Sequence, residues 1–140
     1  MKQERLPMST RVILADDEMH ILRAAEFKLK RSGFDVTCVE DGQAAWEKIQ
    51  EGLPDILITD YHMPRMDGLE LCRKVRQTPE TADLPIVMLT AKGFDLSGED
   101  ETADLNIAAV LAKPFSPRGL VLCIQEVIET GKYVPRVATF

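Results

Sequence analysis

Four short apolar runs in this chain each end in a polar residue, and helix-like patterns separate them. Val12-Ile13-Leu14-Ala15 meets Asp16-Asp17, and Ile56-Leu57-Ile58-Thr59 meets Asp60. Ile86-Val87-Met88-Leu89 meets Thr90, and Ala108-Ala109-Val110-Leu111-Ala112 meets Lys113. Runs this short and this apolar read as strands buried on both faces, which is how parallel sheets read. Strands alternating with helical patterns give an α/β fold. Each run therefore presents its polar residue at the carboxyl end of a strand, the edge of an open α/β sheet where ligands bind.

The spacing predicts strands over about 11–16, 35–39, 55–59, 85–89 and 108–112. Pro54 and Pro85 stand where a proline is tolerated, at strand entrances. Helices are expected over about 18–31, 43–51, 68–76, 97–105 and 116–130. Leu22, Ala25 and Leu29 share one face of the first, and Leu69, Cys72 and Val75 one face of the third. Leu120, Val121, Ile124, Val127 and Ile128 are expected to face the sheet from the last. Gly33, Gly52 and Gly131 stand where helices end. Asp41-Gly42 reads as a turn, and Pro64 and Gly68 make 60–68 an irregular loop. The helix over 97–105 is the weakest former, being rich in Asp and Glu and holding Gly98, with Ser97 and Asp100 as an imperfect capping box.

The chain has 140 residues, the length of one domain. The expected organisation is a tail over 1–10, a folded domain over 11–131 and a tail over 132–140. No apolar run approaches the roughly 20 residues that span a bilayer. The N-terminus lacks the apolar stretch of a secretory signal. The cytoplasm is the expected location, with no membrane partner. A net charge of −6 argues against a nucleic-acid surface. Cys38, Cys72 and Cys123 form no Cys-x-x-Cys pattern and read as small core residues. His20 reads as a surface residue and Trp46 as packing.

A single Asp after a strand is commonly a turn or cap residue. Four such endings together are another matter. If the first and third strands are neighbours, Asp16, Asp17 and Asp60 converge. Two carboxylates at 4 Å repel by about 4 kcal/mol at an effective dielectric of about 20. Lys113 cannot offset all three, whereas a hard divalent cation can. All-oxygen donors select Mg²⁺, Mn²⁺ or Ca²⁺, and the small number of protein oxygens suits Mg²⁺ best. Thr90 and Lys113 are what a phosphoryl group needs, a hydroxyl donor and a positive charge. Asp60, between the acidic pair and the Thr/Lys pair, is the best candidate for a carboxylate nucleophile that forms an aspartyl-phosphate.

These residues carry a specific resemblance. Asp16-Asp17, the stretch Asp60-Tyr61-His62-Met63-Pro64-Arg65-Met66-Asp67-Gly68, Thr90-Ala91 and Lys113-Pro114-Phe115 are similar to the motifs of the receiver domain of two-component response regulators, over about residues 11–130. The resemblance implies a flavodoxin-like, doubly wound, five-stranded parallel sheet of order 2-1-3-4-5 with five helices. It implies a phosphoacceptor switch, here stand-alone and similar to chemotaxis regulators, and not a turnover enzyme. A histidine kinase or phosphotransfer protein would charge Asp60, and dephosphorylation would be slow. Mg²⁺, with Mn²⁺ as a substitute, would be held by Asp16, Asp17, Asp60 and the backbone carbonyl of His62. Thr90 and Lys113 would bind the phosphoryl group, with a cis Lys113–Pro114 bond. Output would pass by protein contact through the face formed by the fourth helix, fifth strand and fifth helix. The domain itself would not bind DNA, and activation could drive homodimerisation.

Two departures stand out. Three residues before Lys113, receivers often carry an aromatic that moves with Thr90, and here the position is Val110. Movement on phosphorylation is therefore expected in segment 91–106. Asn106-Ile107 replaces the usual Gly-Ala, and Asn tolerates a left-handed backbone better than most residues. His62 and Lys92 should rim the site. The alternatives are a receiver excised from a longer regulator, a phosphorylation-independent interaction module, and a Mg²⁺-dependent phosphohydrolase. The last commonly places its two aspartates two apart on the first strand, unlike the adjacent Asp16 and Asp17. A Rossmann nucleotide site lacks its Gly-x-Gly-x-x-Gly.

Overall fold

The computed structural model describes residues 9–91 and 104–131. Within them the chain runs β1 (Arg11–Ala15), α1 (Met19–Arg31), β2 (Asp35–Val39), α2 (Gly42–Glu51), β3 (Ile56–Asp60), α3 (Gly68–Gln77), a 3₁₀ turn (Pro79–Thr81), β4 (Ile86–Thr90), β5 (Ala109–Ala112) and α4 (Pro117–Thr130). The five strands form one parallel sheet in the order β2-β1-β3-β4-β5. That is the expected topology, and the order reverses between β1 and β3.

The five helices expected from the sequence are four among the described residues. The helix expected over 97–105, with Ser97 and Asp100, falls largely outside them. Asp104 and Leu105, at its expected end, belong to a turn with Asn106. Asn106 does adopt the left-handed backbone, at φ 51°. The exit from this segment is therefore made as its residue type foretold.

Strand periodicity divides the core in two. Ile13, Ala15, Leu57, Ile86 and Met88 face one side and pack with Ala45, Trp46, Ile49, Leu71, Cys72 and Val75 from α2 and α3. Their chain neighbours Val12, Leu14, Ile56, Ile58, Val87 and Leu89 face the other side. There they meet Leu22, Ala25 and Leu29 of α1 and Leu120, Ile124 and Val127 of α4. Both faces are covered, which is why the central strands show no polar alternation. Trp46 is a core residue as expected. Cys72 and Cys123 are buried, whereas Cys38 is only partly so. Ile128 corrects the reading of the last helix: it is 42% exposed, and Cys123 takes a core place instead. Ile128 lies on the same arc of the helix as the buried Val121 and Ile124, but in its last turn, three residues from the Gly131 stop.

Helix ends are fixed by local chemistry. Asp41 caps α2 by accepting from the Ala44 amide, and Asp67 and Glu70 form a reciprocal capping box on α3. Ser116 caps α4, with Pro117 in its first turn and Gly131 closing it at φ 87°.

Candidate functional site

Parallel register gathers the strand-end residues at one edge. Ala15 pairs with Thr59, so Asp16 and Asp60 leave neighbouring strands side by side. Asp60 pairs with Leu89, and Thr90 pairs with Ala112, which places Thr90 between the strands of Asp60 and Lys113. The Lys113 amide donates to the Thr90 carbonyl at 2.7 Å. Asp16, Asp60, Thr90 and Lys113 are all buried, while Asp17 and His62 are exposed. The Lys113–Pro114 bond is cis.

One glycine is required by the site itself. A Cβ on Gly68 would lie 2.1 Å from the Asp60 carbonyl oxygen. The Gly68 amide donates to the Tyr61 carbonyl at 2.8 Å. The loop after Asp60 thus folds back onto its own start, and only glycine permits that approach. Arg65, inside the loop, has a left-handed backbone at φ 67° and is tied to the Asp41 carboxylate by its guanidinium. The cap of α2 and the loop after Asp60 therefore share one carboxylate.

The carboxylates of Asp16, Asp17 and Asp60 offer oxygens within 4.8 Å of one another. Asp16 uses Oδ1 to accept the Glu18 amide at 2.9 Å. Its Oδ2 is buried and lies 2.8 Å from Lys113 Nζ, an ion pair without the angle of a hydrogen bond. Asp60 uses Oδ1 to accept the Tyr61 amide at 3.0 Å and turns Oδ2 to Lys113 Nζ at 3.3 Å. Each buried aspartate thus has one oxygen held by backbone and one directed at the same ammonium.

Electrostatics follow from that crowding. Burial, and then the charge of Asp16, push the Asp60 carboxyl up to about 6, against the pull of Lys113. Burial alone would lower the Lys113 ammonium, but its contacts with Asp16 and Glu18 and the charge of Asp60 prevail and hold it above its usual range. One lysine serving several carboxylates leaves Asp60 a weak acid. Three clustered carboxylates that share a single buried ammonium suit a hard divalent cation. Thr90 Oγ1 is likewise buried without a hydrogen-bond partner among the described residues. A buried hydroxyl without a partner is costly and points to a ligand-facing role.

Sequence reasoning missed two residues. Glu18 reaches Lys113 Nζ at 2.7 Å, and that contact holds its own carboxyl below the usual range. Arg76 donates to the carbonyls of Ala82, Leu84, Leu105 and Asn106 and so fastens the 104–106 turn against the end of α3. Glu18 directly follows the acidic pair, so its nearness was legible, but its partner lies 95 residues away. Nothing local marked Arg76.

The model of the response regulator receiver domain matches residues 12–125. The chain belongs to that family. It is 35% identical to a response regulator from Chloroflexus aurantiacus, over 87% of this chain and 99% of that one, with a TM-score of 0.79. It is 29% identical to the chemotaxis response regulator CheY4 of Vibrio cholerae, over 86% of this chain and 99% of that one, with a TM-score of 0.79. The receiver domain of Francisella response regulator 1452 is 26% identical, over 89% of this chain and 100% of that one, with a TM-score of 0.77. As a receiver domain, the chain has a place in two-component signalling. No helix among the described residues is long and apolar enough to cross a membrane.

Proposed function

We propose that this receiver is a Mg²⁺-dependent phosphoacceptor switch, charged at Asp60 by a histidine kinase or phosphotransfer protein. The observation that carries the reading is the arrangement of Asp60. One of its oxygens is pinned by the Tyr61 amide, while the other faces Lys113 beside the Asp16 and Asp17 carboxylates. A pinned carboxylate has one oxygen oriented for attack on an incoming phosphorus. Asp16, Asp17 and Asp60, together with the backbone carbonyl of His62, would hold the cation. That ion would supply charge neutralisation for the transferring phosphoryl group. Asp60 must be ionised to attack, and a carboxyl near 6 is largely ionised at neutral pH.

Lys113 and the Thr90 hydroxyl would take the phosphoryl oxygens. The buried Oγ1 then gains the partner it lacks. The reaction is one transfer per chain followed by slow hydrolysis, not turnover of a substrate pool. The adjacency of Asp16 and Asp17, and the placement of the nucleophile on β3 rather than β1, favour this over a phosphohydrolase. Output would pass by protein contact through β5, α4 and the segment before β5, in the cytoplasm and without DNA binding. The test is incubation with acetyl phosphate and Mg²⁺, followed by intact-mass analysis. A gain of one phosphoryl group that Asp60→Asn or chelation of Mg²⁺ abolishes supports the reading. No gain, or a gain that survives Asp60→Asn, sinks it.

A further inference from the structure

Glu18 is the site neighbour that phosphoryl transfer leaves without a task. It stands at the N-cap position of α1, yet its side chain makes no capping hydrogen bond. Asp16 Oδ1 accepts the amide of Glu18 itself and so fixes the backbone that leads into the helix. The Glu18 carboxylate turns instead to Lys113 Nζ at 2.7 Å, while Asp16 lies at 2.8 Å and Asp60 at 3.3 Å from the same nitrogen. Its side chain is 48% exposed, against 1% for Asp16 and 9% for Asp60. An ammonium has three N–H donors. Here it meets three carboxylates, two inside the site and one at its rim.

Building on the phosphoacceptor reading, we propose that Glu18 is a positioning residue, a latch that holds the Lys113 ammonium toward the rim until a phosphoryl group on Asp60 claims it. Two consequences follow, of opposite sign. By sharing the ammonium, Glu18 weakens the hold of Lys113 on Asp16 and Asp60, and those carboxylates are freer for a cation. The same pairing must be given up before Lys113 turns to a phosphoryl oxygen. Glu18 therefore favours cation binding and opposes phosphoryl binding. A residue that only maintained the fold would move both in the same direction.

Two titrations of the whole chain test this, Mg²⁺ followed by amide NMR shifts and beryllofluoride at saturating Mg²⁺ followed by ¹⁹F NMR. Glu18→Gln is expected to raise the Mg²⁺ half-saturation and lower that of beryllofluoride, each by about threefold, the size of a partly exposed ion pair. In a Lys113→Ala background, Glu18→Gln should leave the Mg²⁺ half-saturation unchanged, because the latch has lost its partner. Two unchanged constants, two weakened constants, or a Mg²⁺ shift that persists without Lys113 would overturn the latch. The last result would mark a general charge effect. Failure of the wild-type chain to bind beryllofluoride would overturn the phosphoacceptor reading and the latch with it.

Discussion

The two halves of the ligand-binding edge are built on opposite plans. At the β1/β3 half, Asp16 and Asp60 are buried, with one oxygen each on a backbone amide and the other facing Lys113. At the β4/β5 half, Thr90 buries a hydroxyl without a partner among the described residues. There too Val110, where receivers often carry an aromatic, is 37% exposed on β5. The first half is tense because it holds too much of one charge. The second is slack, with a polar group waiting and no ring to swing. The difference is in what each half lacks: positive charge in the first, and an acceptor for the Thr90 hydroxyl in the second.

The largest effect is expected at Lys113, which faces the carboxylates of the first half from the end of β5. Lys113→Ala leaves two buried carboxylates without their cation and should destabilise the metal-free chain by about 3 kcal/mol, read by urea unfolding. Mg²⁺ should restore much of that loss, since a divalent ion replaces the missing charge. Equal loss with and without Mg²⁺ would show that Lys113 acts through packing alone.

Asp60 tests the tension by pH. Its carboxyl is raised to about 6 in the folded chain from 3.8. Between those values the folded state keeps a proton that the unfolded state has lost, so stability falls as pH rises through the window and stays lower above it. Asp60→Asn removes the effect. The variant should be more stable than wild type by about 1–3 kcal/mol at pH 8 without Mg²⁺, converging with it below about pH 4. A constant difference across the range would mean that the gain comes from elsewhere.

The slack half predicts smaller changes in stability. Thr90→Val removes a hydroxyl that has no partner and should leave stability unchanged or raise it by up to about 1 kcal/mol. It should nonetheless weaken binding of beryllofluoride. Clear destabilisation would place a hidden partner on Oγ1. Val110→Ala should change stability by less than about 0.5 kcal/mol and leave the rate of phosphorylation by acetyl phosphate unchanged. A slower rate would make Val110 part of the site rather than of its output.

Most of this was legible in the sequence because it is local. Apolar runs of strand length, Gly33 and Gly131 at helix ends, and Asn106 in its left-handed turn are written within a few residues each. The convergence of Asp16, Asp60, Thr90 and Lys113 was legible because parallel strands all end at one edge. What escaped depends on contacts between distant segments. Glu18 meets Lys113, and Arg76 fastens the 104–106 turn, through side chains long enough to reach partners that no local pattern marks. Ile128 was misplaced because the helical period marks the face a residue lies on and not whether the last turn of the helix is still covered. The helix expected over 97–105 lies largely outside the described residues.

The central claim is that Asp60 itself carries the phosphoryl group. Reduction of the acetyl phosphate-treated chain with borohydride converts an acyl phosphate to an alcohol, and tandem mass spectrometry of the resulting peptides then reads which residue was modified. Conversion at Asp60, dependent on Mg²⁺, is the predicted result. Conversion at Asp16 or Asp17, or none anywhere in a chain that has gained a phosphoryl group, would contradict it.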